Sequence, residues 1–161
     1  MSTESNQVFN PEMFLNSNFD QANSTELLPH PEGEFMAVSD PVTAESFKSF
    51  DIKRGDRAGQ KGFMLILTWN VNDENGILKE TLGRAPKVRQ SIMLDIGPGG
   101  SLEFGKGRNV ALGRVREALN QNLTGKPWSF AMLGGQLAKI KVKHRIDGSN
   151  TYSEVNEVTR A

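Results

Sequence analysis

Alternation of apolar and charged residues over 137–146 forces an extended strand there. A period of two sets Ala138, Ile140, Val142 and Ile146 on one face and Lys139, Lys141, Lys143 and Arg145 on the other. Four like charges along one side of one strand repel one another, so the row needs water or an anionic partner to screen it. Two readings stay open: an edge strand that uses lysines against aggregation, or a row that tracks phosphates. His144 shares parity with Val142 and Ile146 and reads as a packed or hydrogen-bonded histidine near the end of the sheet.

The same period recurs through the body of the chain. Residues 33–42 read as a strand broken by Pro41, and 62–71 as a buried strand ending in a turn at Asn75-Gly76, which both tolerate positive φ. Residues 87–96 read as a third strand, with Val88, Ile92, Leu94 and Ile96 on one side and Gln90 interrupting that face. Residues 110–122 are the one convincing helix, with Asn109 as N-cap, Leu112, Val115 and Leu119 on the packed stripe, and Gly125 and Pro127 beyond its end. Two strands, 136–146 and 151–159, close the chain around a turn at 147–150. Several strands, one helix between the third and the last pair, and glycine-rich turns predict a mainly β, α+β fold: a small oligonucleotide-binding-type barrel of about five strands. A β-sandwich with one helix is the alternative.

Charge divides the chain. Residues 1–52 hold nine carboxylates and one lysine, net −8, whereas 53–161 hold eighteen Lys and Arg against ten Asp and Glu, net +8. Isolated apolar residues in the first part (Val8, Phe9, Met13, Phe14, Leu15, Phe19) suit a docking arm rather than a core, and Pro29-His30-Pro31 favours an extended link. The expected organisation is therefore a flexible acidic arm over 1–32 and a single barrel-like domain over 33–161. No stretch approaches the roughly 20 apolar residues of a membrane-spanning helix, no signal-peptide pattern opens the chain, and without cysteine neither disulfides nor thiolate metal sites can form.

Candidate chemistry points to binding, not catalysis. Single-strand binders combine a basic groove with aromatic platforms, because every base has a π-face. Trp69 shares parity with Leu65 and Leu67 and belongs to the core. Trp128, beside Lys126, is either a lid over the core or an exposed platform, and Tyr152 is an equal candidate for stacking; Phe104 and Phe130 complete the set. The stretch 100–107 nearly matches a phosphate-binding P-loop but ends in Gly107 where a hydroxyl is required, so only Lys106 and Arg108 at the helix entrance remain as phosphate contacts. His30 and His144 have no carboxylate spacing of a metal site and no nucleophile motif, and Asp73-Glu74 read as solvated turn carboxylates. No catalytic residue, metal or cofactor is expected.

The segments Pro31-Glu32-Gly33-Glu34-Phe35, Gly105 to Arg114, Ala118 to Asn122, Gly134-Gly135, Val142 to Arg145 and Tyr152 to Val155 carry a resemblance over 31–159. The body resembles a group of small bacteriophage proteins encoded with replication genes, some of which act as single-stranded DNA-binding proteins. The resemblance implies DNA binding without sequence preference in phage replication or recombination, in the cytoplasm of the infected bacterial host. Implied partners are single-stranded DNA and either further copies of the chain or phage replication proteins. Cellular single-strand binders of this type keep an acidic tail at the C-terminus, whereas here the acid stands at the front. That departure admits a rival, a virion structural or decoration protein whose arm docks on a neighbour, and a more distant one, a metal-dependent nuclease.

Overall fold

The computed structural model describes residues 8–26 and 28–161. Six strands form one sheet: β1 (Gly33–Ser39), β2 (Phe47–Asp51), β3 (Lys61–Val71), β4 (Lys87–Leu94), β5 (Leu137–Asp147) and β6 (Asn150–Thr159). The strands order as β1-β5-β6-β4-β3-β2, and β1 also pairs with β3, so five of them close into a ring with β2 added outside on β3. All pairings are antiparallel except β4–β6, which meet in parallel at Arg89 and Glu154. Closure rules out two stacked sheets, and the mainly β barrel of the oligonucleotide-binding type is what forms.

The inward parity of each strand fills the barrel. Ala37, Leu65, Leu67, Trp69, Val71, Val88, Ile92, Ala138, Ile140, Val142, Val155 and Val158 are buried together. Helix α3 (Val110–Ala118) seals this core with Leu112 and Val115, joined by Leu133. Gln90 sits on the same inward face, where it accepts the indole N–H of Trp69 at 3.0 Å. The apparent interruption of the apolar face is thus the partner of a buried donor.

Several local elements depart from the sequence reading for identifiable reasons. Strand β1 stops at Ser39, ahead of Pro41. Helix α3 ends at Ala118 rather than 122, because Asn120 turns to φ 57° and Gln121 N–H closes back on the Arg116 carbonyl at 2.7 Å. Asn109 is not the expected side-chain N-cap. It adopts φ 50°, ψ 40°, a left-handed conformation that asparagine tolerates, and its side chain serves other groups. Its Oδ1 accepts from Asp95 N–H at 2.7 Å, while Nδ2 donates to the carbonyls of Asp95 (3.0 Å) and Glu103 (2.9 Å). One side chain therefore ties the end of β4 and the 102–104 segment to the start of α3.

Helix α2 (Ile77–Leu82) was not expected. Asp73, read as a solvated turn residue, caps it by accepting from the backbone N–H groups of Leu78 and Lys79, both at 3.0 Å. Upstream of the barrel, helix α1 (Pro11–Leu15) is capped by Asn10 Oδ1, with Pro11 in its first turn, where a missing N–H costs no bond.

Candidate nucleic-acid interface

Strand β5 presents its charged row outward as expected, but the strand is not an edge. It lies between β1 and β6, so the edge-protection reading does not apply. Register then supplies carboxylates. Residues directly opposite in an antiparallel pair share a face: Lys141 stands between Glu34 and Glu157, and Lys143 faces Glu154. Arg145 Nε donates to Glu154 Oε1 at 2.7 Å and lies 3.8 Å from Asp147. Arg145 is ion-paired and Lys141 and Lys143 have carboxylates beside them in register, whereas Lys139 stands between Met36 and Thr159, so the row is partly neutralised by its own sheet.

Arg145 also stacks its guanidinium 5.0 Å from the ring centre of Tyr152, opposite it on β6. These two residues frame the β5–β6 hairpin, and Tyr152 is 38% exposed, so its ring keeps an accessible edge there. Lys106 and Arg108 are exposed on the turn before α3; Arg108 lines a shallow hollow with Arg57, Lys61 and Phe63, which Asp95 and Glu103 also border.

Trp128 takes the lid role. Its Nε1 donates to Gln121 Oε1 at 3.0 Å, Phe130 packs against it at 4.9 Å, and the Arg116 guanidinium lies 4.0 Å from its ring centre. Burial disfavours the charged form of Arg116 and lowers its pKa, and the aromatic face compensates part of the lost hydration. Phe130 continues the contact to Phe47 on β2, so this cluster closes one end of the barrel. Lys126 is exposed in the preceding turn.

A second positive surface lies on the outer face of β3 and β4, where Arg89 stands opposite Glu154 and Lys48 and Lys87 have no carboxylate opposite them. With Leu65, Leu67 and Trp69 inward, the outward residues of β3 are Met64, Ile66, Thr68 and Asn70. Opposite them on β4 stand Met93, Ser91, Arg89 and Lys87. Strand β2 extends the same face with Lys48 opposite Met64 and Phe50 opposite Gly62. A Cβ on Gly62 would overlap the Phe50 ring, so glycine is what lets that ring lie flat on the sheet. Phe50, Met64, Ile66 and Met93 give the face an apolar floor, and Lys48, Lys87 and Arg89 give it charge; Lys48 faces Met64 and Lys87 faces Asn70, while Arg89 has Glu154 beside it on β6. The β2–β3 loop adds exposed Lys53, Arg54 and Arg57 at the border. No dense charge run marks this face in the sequence, although the parity that buries Leu65, Leu67 and Trp69 already specifies it.

At the base of this barrel the chain's two histidines meet. His30 is almost wholly buried, its ring edge-on to Phe35 at 4.8 Å. His144 Nε2 lies 2.7 Å from the His30 carbonyl, His30 N–H donates to Ser153 Oγ at 3.3 Å, and Arg84 donates to the Leu28 carbonyl at 2.7 Å. Residues 28–32 are thus fastened to the barrel, and burial holds the His30 pKa below the usual histidine value. No helix among the described residues is long and apolar enough to cross a membrane, and no cluster of histidine and carboxylate among them could hold a metal. No protein-family model matches this chain and no curated protein matches it, so the reading of the interface rests on its own geometry.

Proposed function

We propose that the protein binds single-stranded DNA, without strong sequence preference, across the outer face of β3 and β4. The observation that carries this reading is the pairing on one face of Lys48, Lys87 and Arg89 with Phe50, Met64, Ile66 and Met93. Cations follow a backbone of phosphates, and an aromatic ring such as Phe50 gives an unstacked base a stacking platform. Barrels of the oligonucleotide-binding type take their ligand on the second and third strands, bordered by the first and last interstrand loops. In ring order those strands are β3 and β4, and the loops are residues 40–60 and the Asp147–Asn150 hairpin. Arg145 and Tyr152 stand at that hairpin and extend the track, whereas on the far side Lys141 lies between Glu34 and Glu157 and Lys139 between Met36 and Thr159.

This reading agrees with the phage replication or recombination role implied by the sequence resemblance. Fluorescence anisotropy of a labelled thymidine oligonucleotide tests it, with a blunt duplex as the comparison. Tighter binding of the single strand at moderate salt supports the reading, and equal affinity for duplex or no binding at low salt rejects it. The virion reading has one observation of its own, the exposed aromatic arm, and it requires no oligonucleotide binding at all.

A further inference from the structure

The arm ahead of the barrel folds into a short capped turn whose side chains are exposed. Asn10 caps α1 and Pro11 starts it, and this short turn gathers three aromatic rings: Phe9 to Phe14 at 5.0 Å and Phe14 to Phe19 at 5.6 Å between centres. Every described side chain from Val8 to Glu26 is exposed, Phe9 at 65%, Phe19 at 71% and Leu15 at 81% among them. Its ionisable residues are Glu12, Asp20 and Glu26, without a single Lys or Arg. An acidic, aromatic hook of this kind does not stay in water by preference.

The complementary surface is on the same molecule. The β3–β4 face is apolar in its floor and cationic at its edge, the inverse of the hook. The β5 row is a poorer match, since Glu34 and Glu157 flank Lys141 and Glu154 faces Lys143, whereas on the β3–β4 face Glu154 adjoins Arg89 alone and Lys48 and Lys87 stand without an opposing carboxylate. The root of the arm is also placed for it: Arg84 holds the Leu28 carbonyl three residues before β4 begins at Lys87, so the arm leaves the barrel next to one end of that face. Nine Cα-to-Cα steps lead from Phe19 to Leu28, and at up to about 3.3 Å per step they span roughly 30 Å, enough to lay the hook along strands of eight to eleven residues.

We infer that the N-terminal arm folds back onto the β3–β4 face of its own barrel, with Phe9, Phe14 and Phe19 over Met64, Ile66 and Met93 and its carboxylates toward Lys48, Lys87 and Arg89. The inference rests on the proposed nucleic-acid face for its consequence, because the arm and a single strand then compete for one surface. Tethering supplies an effective concentration of about 1 mM; a hook with a dissociation constant of about 0.1 mM weakens oligonucleotide binding about tenfold.

The chain has no cysteine, so Ser17→Cys carries a unique spin label. In the full-length labelled protein, the methyl signals of Met64 and Met93 should broaden at low salt, recover at 0.5 M salt (about a 4–5 Å screening length), and recover when Phe9, Phe14 and Phe19 are all serine. Absence of broadening overturns the inference. So does broadening that appears only when spin-labelled protein is mixed with unlabelled, isotope-enriched protein, since the receptor is then a second copy. Thymidine oligonucleotide should displace the arm, and the triple serine variant should bind it about tenfold tighter. Broadening with no oligonucleotide binding leaves the fold-back standing and rejects the nucleic-acid reading alone.

Discussion

Trp69 and Gln90 form a hydrogen-bonded pair inside the barrel, the indole N–H donating to Oε1 across 3.0 Å between the adjacent strands β3 and β4. The pair lies directly beneath the candidate binding face, so it couples the stability of that face to a single polar contact. Replacing Gln90 with leucine keeps the volume and orphans a buried donor. We expect a loss of about 1–3 kcal/mol in chemical denaturation. An unchanged midpoint would mean that the indole finds another acceptor.

Asn109 separates a conformational from a bonding role. Glycine adopts φ 50° more readily than asparagine, so Asn109→Gly would be neutral or stabilising if the left-handed backbone were the whole requirement. The side chain makes three hydrogen bonds to Asp95 and Glu103. Asn109→Gly should therefore destabilise the fold by about 2 kcal/mol or more, read as a fall in melting temperature.

Acid should loosen the joint at His30. Burial lowers the folded pKa of His30 from 6.5, with Arg84 and His144 acting in the same direction and the Pro31 carbonyl and Asp73 opposing. Below pH 6.5 the unfolded chain binds a proton that the folded chain resists, so this contribution is complete above pH 6.5 and is lost as pH falls toward the depressed folded value. Melting temperature should drop between pH 7 and pH 5 more in the wild type than in His30→Gln, which cannot titrate. Equal drops would assign the acid sensitivity to carboxylates.

The parts of the architecture that rest on period-two patterning were legible in the sequence. Leu65, Leu67 and Trp69, or Ala138, Ile140 and Val142, specify both an inward face and a strand, and their burial in the barrel follows. What patterning cannot supply is the neighbour. Lys141 looks like a free cation until the register sets Glu34 and Glu157 beside it, and Asp73 looks solvated until α2 folds onto it. Strand β2 escaped because residues 47–51 alternate weakly and gain their meaning from Gly62, whose missing side chain seats Phe50. The β3–β4 face was legible in principle as the complement of the buried set, but its charges are sparser along the sequence than those of β5.

The most direct test of the central claim is the salt dependence of thymidine-oligonucleotide binding, measured by anisotropy for two double variants side by side. Each phosphate contact on a single strand contributes about −0.7 to the slope of log affinity against log salt. Lys87→Ala with Arg89→Ala should weaken binding and flatten the slope by about 1.4. Lys139→Ala with Lys141→Ala, on the far side of the barrel, should leave the slope close to that of the wild type. Wild-type affinity and slope in a folded Lys87→Ala, Arg89→Ala protein, or a larger loss in the β5 pair, would contradict the assignment of the β3–β4 face.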